Sequence, residues 1–272
     1  MATRKTLAES ATCTATGVRS GQQITLALHP ASAGTGLQLV RTDIGKQWPV
    51  SPQTAFAATP GTAVGSSQHH VLFVEHLLAA LATAQITDLT IEISGPEIPL
   101  FEGGAVRLWQ MIQAASVKPL DSEIAPIVLS QPVIISTVDY FLCAIPDDTT
   151  AYYYLFSSEH PLIGQQWASF VPGVDNFARD LAPARTFIAI EEAEAARQAG
   201  MLKGGSTENA IVIYPDRLSE TPALPQAFAR HKLLDLMGDL YLLGRPIQAH
   251  IIGSRSGHQQ NHQLVQRLAE IS

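Results

Sequence analysis

Two cysteines in 272 residues, Cys13 and Cys143, are too few and too far apart to build a disulfide framework or a cysteine zinc site. Any metal ion held by this chain therefore takes histidine and carboxylate ligands. Basic residues are also scarce. There are 17 Lys and Arg against 24 Asp and Glu, a net charge of −7 with no block of like charge, which excludes nucleic acid as the expected partner. No apolar run reaches the length of a membrane span, and the opening MATRKTLAESATCTATG lacks the apolar centre of a secretory signal. The expected location is the cytoplasm, without stable membrane insertion. Charged residues make up only 15% of the chain against 46% hydrophobic, which leaves little room for disorder and favours a well-packed globule.

What is present has the pattern of an α+β protein. A length of 272 residues suits two domains of ordinary size. QQITLALHP and GLQLVRTDIG alternate apolar and polar positions between Gly and Pro, as strands and tight turns do. From Val74, VEHLLAALATAQ shifts to helical periodicity; DLTIEIS then reads as a strand and GGAVRLWQMIQAA as a second amphipathic helix. VKPLDSEIAP reads as a proline-bearing connector, which puts a domain boundary near residue 121. Strands follow at PIVLSQPVIIST, YFLCAI and AYYYLF. The chain closes with a helix around RHKLLDLMGDLYLLG, a strand at PIQAHIIGS and a helix opening at GHQQNHQLVQRL.

That closing order repeats the end of the first half. His76 precedes Gly103 by 27 residues, and His231 precedes Gly257 by 26. The expectation is two duplicated β-α-α-β layered domains, 1–121 and 122–272, each a sheet covered by two helices. The second half carries an extra strand, helix and strand near 187–213, in ARTFIAIEEAEAARQAGMLKGGSTENAIVIY. Glu191 to Gln198 form its polar helix, and Gly204 and Gly205 its stop. Such an insert can wall a binding channel.

Three stretches could carry chemistry. In RHKLLDLMGDL, His231, Asp235 and Asp239 recur every four residues and form one column on a helix, where two of them could clasp a metal ion. An isolated H-x-x-x-D is more often a solvated stripe. In VEHLLAAL, Glu75 and His76 enter a helix that is otherwise nearly all Leu and Ala, so they lie at its exposed start or face a site. The duplication favours a site, because His76 and His231 hold equivalent places in the two halves. Domains packed about a pseudo-twofold would bring both to one interface. His76, His231 and Asp235 would then supply the three ligands that a catalytic zinc takes beside its water, with Glu75 next to that water as base. In SRSGHQQN, His258 starts the last helix, where the helix dipole disfavours its charged form. A histidine kept there usually has an acidic partner, and Asp239 is the candidate, although a turn histidine is more often a surface residue. His29, His69, His70, His160, His250 and His262 form no comparable constellation and read as structural or surface residues.

With these stretches in place, the chain resembles the zinc-dependent UDP-3-O-acyl-N-acetylglucosamine deacetylases, which perform the committed step of lipid A biosynthesis. The resemblance spans nearly the whole chain. It rests on TATGVRSGQQITLAL, VEHLLAAL, GPEIPLFEGGA, ARTF, LKGGSTENAIV, RHKLLDLMGDL and SGH, in the family's order. It implies one Zn2+ per chain, with iron(II) as the cellular alternative, held by His76, His231 and Asp235 with the active site at the domain interface. Glu75 falls at the general-base position. His258, backed by Asp239, falls where a residue protonates the leaving amine or stabilises the oxyanion. Thr186 matches a hydroxyl that polarises the amide, Lys232 a cation near the substrate and Phe187 an aromatic beside the sugar; Arg255 joins them as a substrate-binding residue. The segment from Ile188 to Val212 matches a hydrophobic passage for the acyl chain. The partner implied is a UDP-linked acylated glucosamine, bound by a monomer.

The sequence departs from the family pattern in places. The loop TGVRSG is shorter than usual and has Arg19 where histidine is common. Phe73 replaces a small hydroxyl residue, Glu102 and Gly104 stand for Asp and Ser, and Glu208 for a shorter Asp. These positions bear on nucleotide and acyl specificity. Two alternatives stay open: a nucleotide-sugar-binding relative without turnover, and a zinc amidohydrolase for another acylated amino sugar.

Overall fold

A computed structural model describes residues 1–271. The first part of the chain forms strands β1 (Ala2–Leu7), β2 (Ala11–Thr16), β3 (Gln23–Pro30), β4 (Leu37–Arg41), β5 (Lys46–Pro49), β6 (Ala55–Ala57), β7 (Thr62–Gly65) and β8 (His70–Leu72). Helix α1 (Glu75–Ala84), strand β9 (Leu89–Ile93) and helix α2 (Val106–Ala115) follow. Next come β10 (Val117–Ile124), β11 (Ile127–Val128), β12 (Val133–Ser136), β13 (Phe141–Pro146), β14 (Ala151–Ser157) and β15 (Gln165–Phe170). A short helix α3 (Phe177–Asp180) leads into β16 (Phe187–Ala189), α4 (Ile190–Gln198) and β17 (Ile211–Ile213). The chain ends with α5 (Ala227–Leu240), β18 (Ile247–Ser254) and α6 (His258–Glu270). The molecule is thus mixed α+β, with several sheets and six α-helices among the described residues.

The two largest sheets share one topology. Strand order is β2-β3-β9-β4-β5 in the first and β12-β13-β18-β14-β15 in the second, where β11 also pairs with β18. In each, the last strand in sequence lies between two hairpins, antiparallel to one (β3 or β13) and parallel to the other (β4 or β14). The inserted strands alternate as the pleat requires: Leu89, Ile91 and Ile93 of β9, and Ile247, Ala249 and Ile251 of β18, point to the core.

Helices α1 and α5 are hydrophobic nearly all round because they are covered nearly all round. Every residue from Glu75 to Leu81 is buried, as is every residue of α5 except Arg230 and Lys232. Helix α2 packs on β2 and α1, α6 packs on β12, β13 and α5, and α5 lies on β14 and β15. The two central helices, α1 and α5, pack on each other. Their crossing depends on Gly238, where an added Cβ would lie 1.9 Å from the Glu75 carbonyl oxygen. A glycine inside a helix costs about 1 kcal/mol against alanine; this one lets the two backbones touch. Gly238→Ala is therefore expected to destabilise the fold by about 3 kcal/mol, the upper end of overpacking costs, because backbone cannot give way as a side chain can. A lowered urea midpoint would register this, whereas an unchanged midpoint would contradict so close a crossing.

Two local expectations need correction. VKPLDSEIAP is not a connector: most of it is β10, antiparallel to β1, so Asp121 sits inside a paired strand. Its burial is irregular, which hides the strand period. Pro119, without an N–H, lies opposite Lys5 beside a register shift that accommodates it. The insert is a strand, helix and strand with β16 parallel to β17, but α4 stops before Gly204. Gly200, at φ +71°, already supplies the left-handed residue after the helix. Gly204 instead serves a close approach. Its N–H donates to the Val18 carbonyl at 3.0 Å, and a Cβ there would meet the Gly17 carbonyl at 2.3 Å.

Candidate active site

The α1–α5 crossing buries the start of α1 against the polar column of α5. His76, His231 and Asp235 are each at most 4% exposed, so the column is no solvated stripe. His76 Nε2 lies 3.4 Å from Asp235 Oδ1, and His231 Nε2 lies 3.4 Å from Asp235 Oδ2. The two rings stand nearly perpendicular with centroids 5.2 Å apart. One ligand atom from each of the three residues falls within 4.8 Å of the others. The far ring nitrogens are anchored: His76 Nδ1–H donates to the Gly104 carbonyl at 3.1 Å and His231 Nδ1–H to the Ala184 carbonyl at 3.3 Å. A carbonyl only accepts, so both Nε2 atoms present lone pairs to the common centre. Gly104 has no room for a side chain, since a Cβ would lie 2.4 Å from the Ala182 carbonyl.

The protonation states of His231 and Asp235 suit a metal as well, whereas at His76 burial, which lowers the pKa, is outweighed by the Asp235 hydrogen bond and charge, which raise it. Burial pushes His231 down to about 3, against the pull of Asp235. Burial alone would raise the Asp235 pKa, but His231, Lys232 and the His76 hydrogen bond hold it well below the carboxylate range. A neutral imidazole and an ionised carboxylate are the forms that coordinate. Two nitrogens and one carboxylate oxygen, dry and pre-oriented, fit a tetrahedral Zn2+ with one position left for solvent or substrate.

A second set of groups surrounds this centre. Glu75 is buried, and desolvation raises its pKa, with His258 and His76 pulling it back. Its Oε2 accepts the Thr62 N–H at 3.0 Å, and Gly61, at φ +88°, passes close enough that a Cβ would lie 2.8 Å from Oε1. His258 Nδ1–H donates to Asp239 Oδ2 at 2.8 Å, while its Nε2 lies 3.8 Å from Asp235 Oδ2. Burial would lower the His258 pKa, but the Asp239 charge and hydrogen bond outweigh it and push it up to about 9. The helix-terminus histidine thus has its acidic partner.

Asp239, fully buried, also accepts from the Thr62 hydroxyl at 2.5 Å and from Asn261 Nδ2 at 2.9 Å. Neither residue stood out in the sequence, and His262, read as structural or surface, is buried with Nε2 3.0 Å from Thr62 Oγ1. Asn261 and His262 follow His258 by one helical turn on α6, a spacing that could have revealed them. Thr62 carried no such signal, because it reaches Asp239 across 177 residues of sequence.

A cavity of about 720 Å³ opens onto these groups. Thr186, Phe187 and Lys232 line it, together with Glu75, His76, His231, Asp235 and His258. Phe187 meets His231 edge-on at 5.5 Å, and Lys232 Nζ sits 5.6 Å above the Phe187 ring and 2.9 Å from Asp235 Oδ2. Farther along, Ile188, Ala193, Leu202 and Val212 of the insert face Val18, Phe73 and Leu100, giving an apolar wall. Arg255 is not brought here. It is exposed at φ +55° in the turn before α6, outside the cavity lining. The loop from Gly17 to Gly21 is held by Glu97, fully buried, whose carboxylate accepts the Arg19 and Ser20 N–H groups at 2.8 and 2.7 Å.

Residues 4–270 match the model of the LpxC family, described as UDP-3-O-acyl N-acetylglycosamine deacetylase. The chain belongs to this family. Deacetylases of that name from Synechocystis sp. and Thermosynechococcus vestitus are similar to it, at 38% identity over 93% of this chain and 94% of the relative, and at 40% over 98% and 94%. One from Leptospira biflexa is 36% identical over 94% of this chain and 86% of its own length. The chain is thus a zinc-dependent deacetylase of lipid A biosynthesis, and the buried His-His-Asp cluster is its candidate metal site. None of the positions expected to depart from the family pattern is His76, His231 or Asp235. Glu102 accepts the Val106 N–H at 2.8 Å at the start of α2, and Phe73, at φ +62°, fills an apolar cluster with Val18, Ala63, Leu72 and Leu100. Among the described residues no helix is long and apolar enough to cross a membrane.

Proposed function

We propose that the chain hydrolyses the N-acetyl group of UDP-3-O-acyl-N-acetylglucosamine to acetate and the free amine, with one zinc per chain and iron(II) as the cellular alternative. The architecture proposed for the site is two β-α-α-β halves, 1–121 and 122–272, meeting face to face at α1 and α5. The observation that carries the reading is one cavity that joins the buried His76–His231–Asp235 cluster, the Glu75 carboxylate, the His258–Asp239 pair and an apolar wall.

His76, His231 and Asp235 would hold the metal. When bound there, zinc supplies Lewis acidity to the acetamide carbonyl and brings the pKa of a water to roughly 7. Glu75, desolvated and therefore basic for a carboxylate, takes the proton of the attacking water. Charge developing on the carbonyl oxygen faces Thr186, Lys232 and protonated His258, a stabilisation of about 3 kcal/mol per well-placed donor. His258, kept charged by Asp239, delivers a proton to the departing nitrogen. Phe187 offers an aromatic face for the sugar, and the Ile188–Val212 wall takes the 3-O-acyl chain.

Acetate release from UDP-3-O-acyl-N-acetylglucosamine tests this. It should be abolished by a chelator and restored by Zn2+, and it should fall sharply for the substrate without its 3-O-acyl chain. Undiminished turnover in chelator would reject the metal role, and indifference to the acyl chain would reject this substrate.

The His258 role has a signed pH consequence. Activity that needs the imidazolium is lost as pH rises through the His258 pKa, which Asp239 raises. Asp239→Asn removes that charge, so the basic limb of the kcat/KM profile should move to lower pH. An unmoved limb would remove Asp239 from the mechanism.

A further inference from the structure

Thr62, the first residue of β7, is fully buried and lies behind the cavity, outside its lining. It nonetheless touches both proton-handling groups. Its N–H donates to Glu75 Oε2 at 3.0 Å, and its hydroxyl lies 2.5 Å from Asp239 Oδ1, 3.0 Å from His262 Nε2 and 3.4 Å from His258 Nδ1. The direction of each bond follows from chemistry. A carboxylate accepts, so the single hydroxyl proton goes to Asp239. The threonine oxygen is then left to accept, so His262 Nε2 carries the hydrogen between them. The chain runs from His262 Nε2–H to the Thr62 hydroxyl, to Asp239 Oδ1, and from Asp239 Oδ2 back to His258 Nδ1–H.

We propose that Thr62 and His262 are positioning residues of the deacetylase, a buried relay of hydrogen bonds that locks the Asp239 carboxylate and so aims His258 at the reacting amide. The inference rests on the deacetylase reading above. Asp239 holds His258 and Asn261 through one oxygen, Oδ2. Its other oxygen, Oδ1, is fixed by Thr62. Without that second anchor the carboxylate can turn about its terminal bond, and the His258 ring turns with it. His262 acts one step further back, orienting the hydroxyl by occupying its oxygen. Because the backbone N–H of Thr62 holds Glu75 independently, a side-chain substitution isolates the His258 arm from the Glu75 arm.

The test compares Thr62→Val, Thr62→Ser and His262→Phe with the wild-type holoenzyme, reading kcat, KM, zinc content and melting temperature. Thr62→Val is nearly isosteric and removes only the hydroxyl. Loss of a buried hydrogen bond to a charged group should lower kcat by about tenfold to a hundredfold, with KM and zinc content unchanged because Thr62 touches neither substrate nor metal. Thr62→Ser restores the hydroxyl and should bring kcat back to within about threefold of wild type. His262→Phe should lower kcat by about threefold to tenfold, and should add nothing in the Thr62→Val background, since it acts through that hydroxyl.

Wild-type kcat in Thr62→Val, a serine variant no better than valine, or a full His262 effect in the valine background each overturns the proposal. If Thr62→Val does not fold, His262→Phe decides it alone, and unchanged kcat there overturns it. Failure of the wild type to release acetate would instead overturn the deacetylase reading, so the two failures are distinguishable.

Discussion

His231→Ala is expected to lose the metal and, with it, at least about three orders of magnitude in acetate release, because a catalytic zinc site has no ligand to spare beyond its three. The imidazole of His231 is one of the two in the His76–His231–Asp235 cluster, and burial keeps it neutral and ready to coordinate. Removing it leaves Asp235 with His76 and Lys232 as close partners, and the Lys232 ammonium then competes with the metal for that carboxylate. Zinc per chain, measured by elemental analysis after dialysis, should fall from about one toward zero. The fold should survive, since α5 is otherwise held by Leu233, Leu234, Met237 and Leu240, all of them buried. Full zinc content with full turnover in this variant would mean that the metal sits elsewhere.

Glu75→Gln should behave differently, lowering kcat by about 10² to 10⁴ while leaving zinc near one per chain. Glutamine keeps the shape of the side chain and can still accept the Thr62 N–H with its carbonyl oxygen, so packing at the α1–α5 crossing is preserved. What it cannot do is accept the proton of water. The pair of variants separates binding of the metal from use of the water, and zinc loss in Glu75→Gln would show that the ligand set has been misassigned.

The motifs on α1 and α5 were legible because helical periodicity and the repeated placement of His76 and His231 are both written in one dimension. The partnership of His258 with Asp239 was legible for a related reason: a helix amino terminus disfavours an imidazolium, so a histidine kept there pointed to an acidic partner. What escaped the sequence is what only the third dimension supplies. Gly238 reads as a poor helix former until the Glu75 backbone is seen against it. Thr62 carries no signal in the sequence, and its part emerges only where the Thr62, Asp239 and His262 side chains converge. β10 reads as a connector because edge pairing to β1, not an apolar stripe, makes it a strand. Arg255, expected at the substrate, lies exposed in the left-handed turn before α6, outside the cavity lining.

Anomalous diffraction at the zinc edge from crystals of the holoenzyme tests the central claim most directly, since it locates the ion without reference to activity. The account predicts one peak per chain, within coordination distance of His76 Nε2, His231 Nε2 and an Asp235 carboxylate oxygen. A peak bound by other side chains, or a zinc-replete active crystal with none at this cluster, would contradict it.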